Sequence, residues 1–335
     1  MFAFESPVVN NFLVSQILRI ISTTKKYGGD IFEDEMESAF QSAGHKVQEF
    51  NPVPQGQGRL HKVPGYLKNL MTISSQAQDA DYVLRAMNHV FFMDQSPKQI
   101  VVAYHYDTSF CHPLVKVHHY MTLRSLIGNK DKVAKLVVIS RFWRDYFHEL
   151  GFKNIETIYC GFDKNEFSAD GQIVERLRLK INPGDKKIVY IGNSQKKKGA
   201  DKAYEALKDR KDLVLITSGN KDVELPCLNL ELNRKDYLAF LSLSDVVVTF
   251  SQFKEGWNRV AHEAMMMGVP VIGSGLGGMG ELLSGGGQKI VTDSSVLGKS
   301  LDEVLMDREI GLRGKEFAES FTRERFDKSC LDLVQ

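Results

Sequence analysis

Short runs of β-branched residues alternate with longer amphipathic stretches along most of the chain, and that alternation restricts it to parallel strands joined by crossover helices. Gln16–Ser22 (QILRIIS) reads as the first strand. It leads through the polar loop TTKKYGGD into IFEDEMESAFQSAG, whose apolar residues recur at helical spacing, with Asp30 as its cap and Gly44 as its stop. HKVQEF, DYVLRA, QIVVAYH, KLVVIS and NIETIYC continue the strand series, and RFWRDYFHELG supplies a helix. The Pro- and Gly-rich stretch from Asn51 to Gly65 reads as a long irregular connection. A second series follows: KIVYIG, DLVLITSG, DVVVTF and VPVIGS as strands, with helices through RKDYLAFLSLS and around Asn258 to Met267. The charged, turn-broken segment Asp170 to Lys187 separates the two series. Two α/β halves with a cleft between them are therefore expected, with ligands at the carboxyl ends of strands.

A length of 335 residues suits about two domains, at roughly 150 residues each, that need no disulfides or metals to hold their cores. The net charge of +1 gives no global field toward nucleic acid, and no nucleic-acid partner is expected. The N-terminal half shows no basic excess that reads as a patch. Cys111, Cys160, Cys227 and Cys330 are scattered, without zinc or disulfide spacing, which fits a reducing cytoplasm. Glu5, Asn10 and Asn11 interrupt the apolar N-terminus before a signal-peptide core forms, and no apolar run approaches the roughly 18 residues of a membrane span. The expectation is a cytoplasmic protein, with peripheral attachment to a membrane surface left open.

Ser251 to Leu283, SQFKEGWNRVAHEAMMMGVPVIGSGLGGMGELL, is the most informative segment. Glu255 falls at a strand-to-helix turn, and Glu263 lies eight positions on, in the helix that follows. A helix starting near Asn258 would aim unpaired N–H groups and the positive end of its dipole into the cleft, which favours phosphate. Two carboxylates bracketing such a site suit a nucleotide sugar, with hydroxyls at both ends and a diphosphate between. The plainer alternative is that Glu263 pairs with Arg259 across one turn and Glu255 is a solvated loop residue.

EGWNRVAHEAMMMGVPVIGSGLGGMGELL closely resembles the Glu-x7-Glu signature of retaining glycosyltransferases of GT-B fold, family four. YGGDIFEDEMESAFQSAGHKVQEF resembles that family's Gly-Gly donor loop, first helix and second strand, and VVAYHYD its strand ending in a His. KLVVISRFWRDYFHELGF and IETIYCGFDKNEF resemble the end of its N-terminal domain, and KIVYIGNSQKKKGADKAYEAL the start of its C-terminal domain. FTRERFDKSCLDLV resembles the last helix, which in the family crosses back. The likeness spans nearly the whole chain and is weakest over Asn51 to Pro97.

The resemblance implies two Rossmann-like α/β domains with parallel sheets facing across a cleft. An acceptor-side domain would span 1–168, a nucleotide-sugar domain 169–315, and a returning helix 316–335. It further implies a retaining, metal-independent hexosyltransferase acting on a sugar, lipid-linked glycan or other hydroxyl acceptor, with the nucleoside-diphosphate sugar as co-substrate and no cofactor. Glu255 would hold the donor sugar, Glu263 the ribose, and Gly256, Trp257 and Asn258 loop contacts to the donor. Lys198 matches the diphosphate-binding lysine, which stabilises the charge gained by the leaving group. Gly28 and Gly29 would let the backbone approach the phosphates, and His105 would contact the donor sugar or its phosphate. One departure stands out: Asn193 occupies the place of the usual Arg, so half of the phosphate clamp lacks charge. Arg259 is a candidate substitute. That loss keeps a second expectation in view, a non-catalytic GT-B-like protein that binds nucleotide or glycan or partners another transferase. A nicotinamide dehydrogenase fits poorly, since no G-x-G-x-x-G follows the first strand. Cys111, His112, His118 and His119 match no metal site, and their stretch, with Lys116 and Arg124, either receives an acceptor or faces solvent.

Overall fold

The structure, a computed structural model, describes residues 14–21, 28–54, 65–66 and 68–335. Six strands, β1 (Gln16–Ile20), β2 (Lys46–Phe50), β3 (Tyr82–Ala86), β4 (Lys98–Ala103), β5 (Val133–Val138) and β6 (Ile155–Thr157), form one sheet in the order β2-β1-β3-β4-β5-β6. Six more, β7 (Lys187–Asn193), β8 (Leu213–Ser218), β9 (Leu228–Leu230), β10 (Val246–Thr249), β11 (Val271–Gly273) and β12 (Lys289–Ile290), form a second, in the order β12-β11-β10-β7-β8-β9. All their pairings are parallel. Central strands such as β4 and β10 are buried along nearly their whole length, which is why they read as continuous Val and Ile runs rather than alternating ones.

The helices are α1 (Gly28–Ser42), α2 (Ile73–Gln76), α3 (Pro113–Gly128), α4 (Arg141–Glu149), α5 (Gly171–Ile181), α6 (Ala200–Leu207), α7 (Arg234–Leu243), α8 (Arg259–Met266), α9 (Gly278–Gly285), α10 (Leu297–Met306), α11 (Ile310–Glu319) and α12 (Arg323–Leu331). All ten strands read from the sequence are present. The edge strands β9 and β12 are too short to show a pattern, and α3 carries apolar residues on its outer side, so neither was legible. α1 starts three residues earlier than expected, at Gly28, which places Asp30 in its first turn rather than at the cap. Gly44 does end it, at φ +89°. Residues 22–27 of the loop ahead of α1 and 55–64 of the irregular connection lie outside the described residues.

The chain passes from the first sheet to the second between Thr157 and Lys187, with α5 capped by the Asp170 carboxylate on the N–H groups of Gln172 and Ile173. α12 then returns to α1. Phe326 meets Phe32 edge-on at 5.2 Å, and Arg323 donates to the Glu35 carbonyl at 3.1 Å. Gly161 makes the crossing close, since a Cβ there would lie 2.3 Å from Phe326 Cβ. One apolar cluster runs through both halves, from Ile17, Phe32 and Phe40 to Trp257, Met265 and Phe326.

His262 sits in that shared core. Trp257 Nε1 donates to its Nδ1 at 2.9 Å, and because indole is only a donor, the ring proton must lie on Nε2, which faces the Ala318 carbonyl at 3.1 Å. A second proton would have to enter against the indole N–H. Burial pushes the pKa of His262 and of the equally enclosed His89 down to about 3. Glu33, beneath the start of α1, moves the other way: burial pushes it up to about 7.

As pH falls below about 6.5, the unfolded chain takes up protons that folded His262 and His89 refuse, which costs on the order of 1 kcal/mol per pH unit for each. Folded Glu33 gains its proton between about 7 and 4.5, ahead of the unfolded chain, and offsets part of this. Thermal unfolding followed from pH 7 to 5 should show a falling midpoint, with a steeper fall in Glu33→Gln. A midpoint that holds or rises on acidification contradicts the neutral histidine core.

Candidate active site

The second sheet reverses its order between β7 and β10, and the carboxyl ends of those two strands frame a crevice. Beyond β7 the chain makes a short 3-10 turn, Lys196–Lys198, closed by Gly199 at φ +70°. A Cβ at Gly199 would lie 2.0 Å from the Phe250 carbonyl oxygen, so only glycine lets this turn lie on the end of β10. The result is a direct contact. Lys198 Nζ reaches Glu255 Oε1 at 2.6 Å and stands 5.0 Å over the Phe253 ring.

Glu255 is only 6% exposed. Its Oε1 also accepts from the Ser251 hydroxyl and, at 3.4 Å, from Asn258 Nδ2. Among the described residues these donors all fall on Oε1, and none reaches Oε2. The backbone here is locked as well: Glu255 N–H donates to Leu276 O, Gly278 N–H donates to Glu255 O, and Trp143 Nε1 of the first domain donates to the same carbonyl at 2.9 Å. Three glycines make this packing feasible. A Cβ at Gly278 would fall 1.8 Å from the Gly256 oxygen, at Gly277 2.4 Å from the Glu255 oxygen, and at Gly256 2.7 Å from the Tyr104 oxygen.

Tyr104 lies at the contact between the halves. Its carbonyl faces Gly256, while its ring lies where a Gly29 side chain would be, 2.9 Å from that missing Cβ. Its hydroxyl donates to Glu33 Oε1 at 2.5 Å. Gly28 and Gly29 thus open α1 against the same strand end that carries His105. The His105 ring packs 5.7 Å from Phe253. The surrounding protein lowers its pKa, with Lys198 acting in the same direction and Glu255 and Asp107 opposing. Asp107 spans the cleft, accepting from Lys254 N–H at 2.8 Å and from Ser109 N–H at 2.8 Å. Gly29, His105, Lys198, Glu255 and Gly256 are therefore brought together around one crevice.

Other expected residues are placed differently. Trp257 is 2% exposed, its ring against Tyr159 and Phe321 and its N–H spent on His262, so it seats the loop in the core and offers a ligand no free edge. Asn258, at φ +79°, caps α8 with its own carboxamide: Oδ1 accepts the Ala261 N–H at 2.9 Å. That donor, expected to face phosphate, is occupied by the protein itself. Arg259 pairs with Glu35 of α1 at 3.3 Å and stands 4.8 Å over Phe162, so it joins the domains instead of replacing the missing phosphate-clamp Arg. Glu263, 7% exposed, receives Arg234 Nη1 at 2.7 Å rather than Arg259. Beside it the Tyr237 hydroxyl is buried and faces Glu263, and burial together with that carboxylate raises its pKa. Asn193 ends β7 with Oδ1 accepting from the Tyr190 hydroxyl at 3.0 Å, which itself meets Ser218 Oγ at 2.7 Å.

Ser251 and Arg234 were not read from the sequence. Ser251 sits four residues before Glu255 at a strand end, a signal that was available; Arg234 lies 29 residues from its partner, with no local pattern to mark it. Among the described residues no cluster of His, Cys, Asp and Glu could hold a metal ion.

Residues 172–321 match the family model described as glycosyl transferases group 1. The chain is 27% identical over 244 residues to spore coat protein SA of Bacillus subtilis (strain 168), covering 64% of this chain and 59% of that protein. It is 25% identical over 192 residues to N-acetyl-alpha-D-glucosaminyl L-malate synthase of Bacillus anthracis, covering 52% and 50%. The match thus spans between half and three-fifths of these relatives' lengths. Anabaena Alr3699/HepE, solved with UDP and glucose, superposes with a TM-score of 0.75 at 16% identity, over 96% of this chain and 99% of that one. Residues 172–321 are thus similar to the glycosyl transferases of group 1, and the chain as a whole, with two parallel six-stranded sheets arranged as in that structure, has the GT-B fold.

Proposed function

We propose that the protein transfers a sugar from a nucleoside-diphosphate sugar to a hydroxyl acceptor, with retention of anomeric configuration. The observation that carries this reading is the Lys198–Glu255 pair at the point where the second sheet reverses, facing His105 of the other domain. Donor binding exchanges partners. Lys198 turns to the diphosphate, whose charge grows as the bond to the sugar breaks, and Glu255 accepts hydrogen bonds from the sugar hydroxyls. With Asn193 uncharged, Lys198 carries the cationic share of this task, and the backbone around Gly28 and Gly29 offers close approach from the other side.

Glu263 and the Tyr237 hydroxyl beside it suit the two ribose hydroxyls, one accepting and one donating. The relative crystallised with UDP and glucose makes a uridine nucleotide the first candidate.

Retention rests on which carboxylates are free. The acids that act on His105 are Glu255 and Asp107. Asp107 has both oxygens on backbone N–H groups, and Glu255 has three donors on Oε1 and gives its Oε2 to the sugar hydroxyls, so neither is assigned as the nucleophile of a double displacement. The geometry favours a front-face substitution: the bond from the anomeric carbon to the phosphate oxygen breaks, the acceptor oxygen bonds to the same face, and the departing phosphate oxygen takes the acceptor proton. His105, kept neutral by its surroundings, would hold a sugar hydroxyl or phosphate oxygen, and no metal is required for the charge that Lys198 meets.

Thermal unfolding in the presence of UDP, GDP or ADP should show a raised midpoint with one of the three. Glu263→Ala should weaken that nucleotide's binding roughly tenfold, the loss of one hydrogen bond to a charged group. No shift with any nucleotide contradicts the donor site.

Slow release of nucleoside diphosphate from the matching nucleotide sugar should fall by about a hundredfold or more in Lys198→Ala, with far less change in affinity for the nucleoside diphosphate. Tight binding without turnover, unaltered in that variant, favours instead the non-catalytic binding protein, the reading that Asn193 keeps open.

A further inference from the structure

α3 is built inside out. Its inner side is Thr122, Leu123 and Leu126, packed with Val90 and Met93. On the opposite side Leu114, Val117, Tyr120 and Met121 recur at helical spacing and are 72%, 57%, 57% and 55% exposed. Phe110, just ahead of the helix, and Val115 are exposed as well. Six of the sixteen exposed large apolar side chains among the described residues thus fall within twelve positions, a concentration that isolated surface residues do not produce.

Charge decides what such a face would meet. From Thr108 to Lys130 the chain has no Asp or Glu, although it carries 42 of them overall, and Lys116, Arg124 and Lys130 are exposed there. An apolar stripe flanked by cations and free of acids matches the boundary between acyl chains and anionic headgroups. A second copy suits it less, because a two-fold contact would set the cations of one face against those of an identical face that has no acid to meet them. The helix also has a useful position: it begins six residues after Asp107, whose carboxylate spans the cleft.

We propose that α3 is a membrane-docking helix that lays Leu114, Val117, Tyr120 and Met121 into an anionic lipid surface and brings the mouth of the cleft to it. The acceptor-side opening then faces molecules displayed at the bilayer surface. Docking itself is independent of the donor reading.

The test is sedimentation of the full chain with vesicles of phosphatidylcholine alone or mixed equally with phosphatidylglycerol. The protein should pellet with the mixed vesicles and be released by salt. Val117→Glu combined with Met121→Glu should abolish pelleting while leaving the circular dichroism spectrum unchanged, and Lys116→Gln with Arg124→Gln should weaken it roughly thirtyfold. Failure to pellet with mixed vesicles, or pelleting undiminished in the double-Glu variant, overturns the proposal. So does a dimer in sedimentation velocity that the double-Glu variant dissociates, which would give the stripe to a second copy.

Discussion

The rest of the site depends on one ion pair, Lys198 with Glu255, set where two strands of opposite progression part. A buried carboxylate without a cation is costly, and removing one member of such a pair leaves the other uncompensated. Nothing but a ligand that supplies both a new anion for the lysine and new donors for the acid can separate them cheaply. A diphosphate joined to a polyhydroxylated ring would do both at once, which is why the proposed donor site is centred on this pair. The backbone was shaped to hold it: Gly199 permits the lysine's turn, and Gly277 and Gly278 permit the acid's loop.

The loop that carries Glu255 also ties the two domains together. The Glu255 carbonyl receives Trp143 from the first domain, the neighbouring Gly256 fits against Tyr104, and Lys254 N–H donates to Asp107. Farther out, Glu281 of α9 accepts from Arg141 and Tyr159, and Arg259 reaches Glu35. These contacts hold His105 and the glycines that open α1 opposite Lys198. A change in the 255 loop is therefore felt on the other domain.

Much of this was legible in the sequence. Continuous Val and Ile runs betray strands buried on both faces, and the residues from Glu255 to Leu283 carried the family resemblance. Lys198, His105 and Gly29 were placed by that likeness alone, and they converge in the structure. What the sequence hid was side-chain pairing at long range. Arg259, one turn before Glu263, looked like its partner by helical spacing, yet Arg234 takes that role because α7 lies alongside, while Arg259 turns to α1. The open helix end expected at α8 was closed by Asn258, whose left-handed backbone lets its own carboxamide cap the turn. α3 escaped for the opposite reason: its apolar residues mark an outward face, so periodicity did not announce a buried helix.

The most direct test of the account is a crystal structure of the chain with the nucleoside diphosphate that stabilises it, together with the corresponding sugar. Lys198 should leave Glu255 for the diphosphate, and Glu255 Oε2 should lie within hydrogen-bonding distance of the sugar. A nucleotide bound elsewhere, with Lys198 and Glu255 still paired, would contradict it.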